Sequence, residues 1–202
     1  MKSSESKIFL LLLVFIIGVF SYLVGTSVLQ KSYKELDLNL VEKEMIFLVN
    51  TYRQENGIKP LNYASWLEPG AQERATEMAN YGNHRYVSTD GTEKVHTRPT
   101  GESWATAFEN IEGENGKERF LSENIVLIMT SRRKDEAYLA KSMFEEWKSS
   151  PPHNEAMLSP DNKSFAFKAA KIPDSIKNEN VVKGRSTYIG VQIFDTYLSR
   201  RK

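Results

Sequence analysis

The chain has 202 residues, with 27 Lys and Arg against 26 Asp and Glu, a formal net charge of +1, and no cysteine. Balanced, interspersed charge gives no basic surface for nucleic acid, and the missing cysteines exclude a disulfide scaffold and any Cys-ligated metal. With an N-terminal segment set aside, the length suits one domain with a sizeable core.

Residues 1–7 form a short basic N-terminus carrying Lys2 and Lys7. Residues 8–29 hold no charged side chain and are dominated by Leu, Ile, Val and Phe. As a helix rising about 1.5 Å per residue, this run spans roughly 30 Å, enough to cross a bilayer. It also exceeds the roughly 7–15 apolar residues of a signal-peptide core, so it predicts an uncleaved transmembrane signal-anchor. The alternative is a signal peptide cut after Ser27, where Gly25 and Ser27 supply the small residues. Lys31 and Lys34 follow the run, so basic residues flank both ends and charge does not decide the orientation. Residues 30–40 read as a linker and 41–202 as the folded domain.

Val41, Met45, Leu48, Val49 and Tyr52 recur at helical spacing, and Gly57 is a natural stop. Pro60 makes the next few residues extended or turn. Residues 64–80 read as a second helix with Leu67, Ala71, Ala75 and Met78 inward and Pro69 near its start. Residues 86–100 read as polar loop, 104–108 as a short helix, and the stretch to Glu118 as a Gly-, Asn- and Glu-rich turn. The run 124–129 predicts a buried strand, and 135–148 a helix burying Leu139, Met143, Phe144 and Trp147. Residues 153–158 fit one helical turn after Pro151 and Pro152. Strands are expected at 164–171 and 188–197, with the charged segment 173–186 as the tip between them. This mixture makes the domain α+β, a layered αβα sandwich.

Three short strings stand out in order: HTRPTG (His96–Gly101), SENI (Ser122–Ile125) and WKSSPPH (Trp147–His153), the last continuing as Asn154, Glu155, Ala156, Met157 and Leu158. Together they resemble the CAP superfamily (cysteine-rich secretory, antigen 5 and pathogenesis-related 1 proteins) in its short bacterial, SCP-like form. Asn50 and Arg53 resemble the N-x-x-R of that family's opening helix. The resemblance covers roughly Val41 to Tyr197. It implies a three-layer αβα sandwich placed outside the cell, with a cleft lined by two histidines and two acids. Residue by residue, His96 matches the first histidine, Glu123 the first acid and His153 the second histidine. The place of the remaining acid holds Ser150. Glu145 and Glu146 precede Trp147 on the helix and are expected to face elsewhere. Ser122 stands where the family usually has Gly.

Two imidazoles and a carboxylate are donors that suit Zn²⁺, and His₂Glu with a water is a known hydrolytic set. Nothing here resembles H-E-x-x-H, however, and His96 and His153 could equally pin their loops by hydrogen bonds with no ion. No cofactor is required on this reading; Zn²⁺, if held, is held weakly by His96 and His153, with Glu123 the lesser ligand. A serine-hydrolase arrangement of Ser149 or Ser150 with His153 and Glu123 lacks a G-x-S-x-G elbow, and a Ser before two prolines more often caps the next helical turn. His84 reads as surface, Arg98 as a loop fastener, and Trp66, Trp104 and Trp147 as core anchors. No residue is assigned a catalytic role. The expected function is a membrane-anchored extracellular protein, held by residues 8–29, acting through its His/Glu cleft on an envelope component, lipid or host ligand. If the apolar segment is cleaved, the protein is secreted. The alternatives are a metal-assisted peptidase using His96, Glu123 and His153, and a purely structural envelope module.

Overall fold

A computed structural model describes residues 15–16, 35–109 and 119–197. The chain divides into two compact units, Met1–Lys34 and Glu35–Lys202. Of the first, Phe15 and Ile16 are helical. The transmembrane helix expected over residues 8–29 otherwise lies outside the described residues, and among these no helix is long and apolar enough to cross a membrane. The turn expected around residues 110–118 also lies outside them.

In the second unit, helix α1 (Leu38–Glu55) starts at Asp37, whose side chain accepts from the Asn39 amide. Val41, Met45 and Val49 form its buried face. Asn50 bonds reciprocally to Leu61, donating to its carbonyl at 3.1 Å and accepting from its amide at 2.8 Å. Arg53, although 1% exposed, keeps its charge among carbonyls. Its guanidinium donates to Lys59 at 2.8 Å, Met157 at 2.6 Å and Ser159 at 3.0 Å. The N-x-x-R pair thus fastens α1 both to the turn that follows it and to a segment a hundred residues downstream.

A 3₁₀ turn (Ser65–Leu67) leads into α2 (Glu68–Tyr81), where Pro69 falls in the first turn and its missing N–H is no loss. Gly70 is required by proximity. A Cβ there would lie 2.4 Å from the Phe108 ring and 2.8 Å from the Ala107 carbonyl, so only glycine lets α2 seat against the 3₁₀ turn Trp104–Phe108. The segment expected as polar loop contains a small hairpin, β2 (Tyr86–Val87) with β3 (Glu93–Lys94). It is too polar for hydrophobic alternation to reveal. Turn bonds hold it: the Asp90 carboxylate accepts from the Thr92 amide, and Arg85 pairs with Glu93 at 3.1 Å.

The main sheet combines β1 (Asn62–Tyr63), β4 (Arg119–Ser131), β5 (Asn162–Lys171) and β6 (Arg185–Tyr197) in the order β1-β5-β6-β4. β1 runs parallel to β5, and the other pairs are antiparallel. Helices α1, α3 (Glu136–Ser149) and α4 (Pro151–Leu158) pack on one face, against Val126, Phe165, Phe167, Tyr188 and Phe194. Helix α2 and Phe108 pack on the other, against Ile125, Ala166, Ile189, Val191 and Ile193. The two residue sets alternate along β5 and β6, as strand geometry demands when helices cover both faces. β4 runs from residue 119 to 131 rather than 124 to 129, because Ser122, Glu123 and Asn124 continue the ladder despite their polarity. Trp147 is fully buried as expected, whereas Trp66 and Trp104 are half-buried.

Candidate functional site

The three strings that stand out in the sequence fall at one end of the sheet. HTRPTG makes a tight turn: Thr97 bridges Ser103, the Arg98 amide donates to the Glu102 carbonyl at 2.8 Å, and Gly101 takes φ +90°. That left-handed backbone is the one glycine tolerates without strain. SENI lies within β4, with Glu123 on the same face as Ile125, toward α2. WKSSPPH crosses from the end of α3 into α4.

Glu123 is buried, its side chain 0% exposed, and both its oxygens are engaged. Arg74 of α2 donates through Nε to Oε1 at 2.8 Å and through a terminal nitrogen to Oε2 at 3.3 Å. His96 Nδ1 lies 2.9 Å from Oε2. A carboxylate already gripped by a guanidinium can only accept, so Nδ1 donates and Nε2 is the ring nitrogen left for another partner. Burial by itself lowers the Arg74 pKa, but hydrogen bonds and charge from Glu123 and Glu77 outweigh it and hold the guanidinium above its ordinary value.

Glu77 bonds Arg74 on one side and, on the other, accepts from Arg98 Nε at 2.9 Å; Arg98 also reaches Thr106 at 3.1 Å and pairs with Glu73. Alternating charges therefore run from Arg98 through Glu77, Arg74 and Glu123 to His96. Arg98 fastens its loop to α2, as read from the sequence. Arg74, which supports Glu123 from behind, carries no motif of its own.

His153 is half-buried near the start of α4. Its pKa is pushed below the ordinary imidazole value, first by burial and then by the nearby His96. Glu123 is bonded to His96, and its strand neighbour Asn124 reaches the His153 backbone, so one stretch of β4 meets both strings. Asn124, on the opposite face of β4 from Glu123, donates to the His153 carbonyl at 3.1 Å and to Gln192 at 3.2 Å, so the strand itself positions this histidine's backbone.

Beside them opens a cavity of about 270 Å³ lined by His84, Ile125, Val126, Leu127, Glu146, Trp147, Ser150 and His153. Two sequence expectations are corrected here. Glu146, expected to face elsewhere, lines the same cavity as Ser150. The signal was available: the two residues are one helical turn apart, and positions i and i+4 share a face. His84, expected at the surface, is half-buried on the cavity wall. It accepts from Arg85 at 3.3 Å through Nε2, while its Nδ1 is buried with no hydrogen-bond partner among the described residues. No local pattern announces it, because the fold brings its loop across to β4.

Ser150 stands at the N-cap position of α4, but its side chain makes no capping bond there. Ser149 is turned back to the Glu146 carbonyl at 2.9 Å.

As metal donors these residues fit in part. His96 keeps Nε2 available, and Glu123 bonded to its Nδ1 is the outer-shell carboxylate that commonly orients a ligating histidine. Both Glu123 oxygens already accept hydrogen bonds, which suits this carboxylate to orienting His96 rather than to ligating an ion. Among the described residues, no three His, Asp or Glu side chains stand where they could jointly hold a metal ion.

One pH effect follows from His84. Its pKa is lowered by burial, then by Arg85, against an opposing pull from Glu93. A folded-state value below the unfolded one of about 6.5 means that the neutral ring stabilises the fold above that pH. The contribution is lost as pH falls from about 6.5 through the folded value. Thermal unfolding at pH 7.5 and pH 5 should therefore show a smaller acid-induced loss for His84→Gln than for the parent. An equal or greater loss in the variant would contradict this.

The model of the cysteine-rich secretory protein (CAP) family matches residues 46–194, well over half of the chain. None of the curated proteins matches the sequence. Among solved structures, an extracellular protein containing an SCP domain from Bacillus anthracis is similar at 17% identity and a TM-score of 0.48, over 77% of this chain and 40% of that one. An outer surface protein from Borrelia burgdorferi is similar at 17% identity and a TM-score of 0.47, over 81% of this chain and 98% of that one. A cysteine-rich secretory protein from Staphylococcus aureus is similar at 13% identity and a TM-score of 0.37, over 75% of this chain and 38% of that one. The chain therefore spans well under half the length of the first and third, and nearly all of the second.

Proposed function

The chain belongs to the CAP (cysteine-rich secretory protein) family, and from that premise we propose that it is a membrane-anchored, extracellular binding module. It takes an envelope component, lipid or host ligand in the cleft around His96, Glu123, Ser150 and His153, without catalysing its conversion. Residues 8–29 hold it in the membrane.

The observation that carries the non-catalytic part is the engagement of Glu123. A general base needs a carboxylate oxygen free to take a proton from water or substrate. Here both oxygens accept from Arg74 and one also meets His96. With its negative charge matched by a guanidinium in a buried site, Glu123 serves to orient His96. Ser150 in the place of a second acid removes the other carboxylate, and Glu146 lies on the cavity wall where a ligand's charge can meet it.

Zn²⁺, were it present, would be held by His96 Nε2 and His153, with Glu123 fixing the first ring; it would supply Lewis-acid polarisation to a bound carbonyl. Calorimetric titration of Zn²⁺ into the full-length protein in detergent should give weak binding that disappears in the double variant His96→Ala/His153→Ala.

The decisive experiment incubates the full-length protein with a mixture of peptides and with purified cell-wall sacculi, with and without Zn²⁺, and looks for new products by mass spectrometry. No product should depend on His96 or His153. Cleavage that is lost in the double-alanine variant would establish the peptidase alternative and end the binding reading.

A further inference from the structure

The sheet has two ends, and the His/Glu site occupies one of them. Glu123 lies opposite Ile193 near the start of β4, whereas Ser131, opposite Arg185, closes the strand at the other end. At about 3.3 Å per residue, Glu123 and Ser131 stand roughly 26 Å apart.

The end away from Glu123 is where the chain enters the domain. Glu35 pairs with Lys171 at 3.7 Å, and the Asp37 amide donates to Glu136 Oε1 at 3.0 Å. Lys171 ends β5, and Glu136 begins α3 just after the turn that leaves β4. The start of α1 is thus fastened beside the start of α3. Only residues 30–34 separate the apolar run 8–29 from Glu35. Fully extended, that connection reaches about 20 Å, so Glu35 can stand no farther than this from a bilayer that the run crosses.

The same end is basic. Arg132, Arg133 and Lys134 follow β4, and Lys183 and Arg185 lead into β6. The acids there are already engaged. Asp174 pairs with Arg132 at 3.0 Å and Lys171 at 3.4 Å, Asp135 accepts from the Tyr138 amide at 2.9 Å, and Glu35 and Glu136 make the bonds given above. Arg133, Lys134, Lys183 and Arg185 are exposed, and among the described residues none of them forms an ion pair. Lys31 and Lys34 in the connection add to the surplus. Apolar side chains accompany these charges: Leu40 in the first turn of α1, Tyr138 in the first turn of α3 and Val182 before β6 are all exposed. The Lys134 ammonium lies 4.2 Å from the centre of the Tyr138 ring. An aromatic ring beside a long basic side chain is the combination that suits the headgroup layer, with the ring among acyl ends and the ammonium at phosphate.

We propose that this end of the domain docks on anionic phospholipid headgroups, through Arg133, Lys134 and Arg185 with Leu40 and Tyr138 dipping into the interface. This rests on the reading of residues 8–29 as a membrane anchor. The short connection supplies nearness, and the unpaired basic side chains supply attraction to a negative surface. Docking turns the opposite end of the sheet outward, so that the cleft of His96, Glu123 and His153 faces away from the lipid and toward whatever lies beyond it. The cleft's ligand is therefore met from the side of the surrounding medium, and the bilayer is the partner of the other end.

The test uses the full-length protein reconstituted into vesicles of phosphatidylcholine alone, or of phosphatidylcholine and phosphatidylglycerol in equal parts. The chain has no cysteine, so Ala137→Cys and Glu155→Cys each place a single fluorophore at an exposed position, one beside Tyr138 and the other near His153. A spin label on the lipid headgroup quenches the fluorophore that lies against the bilayer. In the anionic vesicles the dye at 137 should be quenched roughly twofold or more beyond the dye at 155. That excess should fall by roughly half or more without phosphatidylglycerol, at ~1 M salt, where the Debye length is about 3 Å, and in Arg133→Glu/Lys134→Glu. Equal quenching of the two dyes overturns the proposal. Quenching at 137 that ignores lipid charge, salt and charge reversal overturns it too, since tethering alone then accounts for the nearness. Flotation of the vesicles after a carbonate wash separates this from the anchor reading. Protein that leaves the vesicles overturns the anchor and the docking together, whereas protein that floats but fails the quenching measurements overturns the docking alone.

Discussion

Replacing Arg74 by methionine should lower the folding free energy by about 3–5 kcal/mol, the range for removing one partner of a buried ion pair. The side chains of Arg74 and Glu123 are both 0% exposed, so the variant leaves a carboxylate in the interior with its cation gone and Glu77 without one of its two guanidiniums. Urea unfolding of the full-length protein, followed by tryptophan fluorescence, measures the loss. The companion variant Arg74→Met/Glu123→Gln should recover part of it, because the stranded charge is then removed as well. A loss below about 1 kcal/mol in the single variant would mean that water or another group reaches Glu123, and the account of a buried Arg74–Glu123 pair would be wrong.

Trp147→Ala should cost about 3–5 kcal/mol through the cavity it leaves. The ring is 0% exposed, packs edge-on to Phe167 at a centroid distance of 6.2 Å, and sits in the core formed with α1. Trp147→Phe separates packing from polarity. It keeps much of the ring but strands the Ile125 carbonyl that accepts from Nε1, which should cost about 1–3 kcal/mol. If both variants are equally destabilised, the indole N–H rather than the ring volume governs this position.

The helices were legible because their apolar residues repeat at helical spacing: Val41, Met45 and Val49 in α1, and Leu139, Met143 and Trp147 in α3, are all buried. Strands β5 and β6 were legible for the matching reason, their β-rich apolar runs. The hairpin of β2 and β3 was not, since Tyr86–Lys94 folds by turn bonds and an exposed ion pair that leave no hydrophobic pattern. The length of β4 was also missed, because Glu123 and Asn124 have partners off the strand and, with Ser122 beside them, look like loop residues when read alone. His96, Glu123 and His153 could be named from their strings, and the structure bonds the first two directly. Arg74 and His84 could not be named, as their roles depend on which distant segments the topology brings alongside them. Glu146 was discounted by sequence adjacency to Trp147, where the relevant relation was one helical turn to Ser150.

The sheet order also dictates a timetable for folding. β6 lies between β5 and β4, yet it is the last of the four strands along the chain. α1 and α2 can form as soon as they are made, since their bonds are local. The sheet cannot, because β4 and β5 are neighbours of β6 and not of each other, and the parallel contact of β1 with β5 closes a loop of about a hundred residues. Closing loops that long before any pairing rewards them makes assembly slow. A chain still lacking residues 185–197 therefore presents two apolar strands with a strand-wide gap between them, open to pairing with other chains. The sheet is therefore completed only after synthesis has passed residue 197, and until then β4 and β5 lack the neighbour that covers their edges.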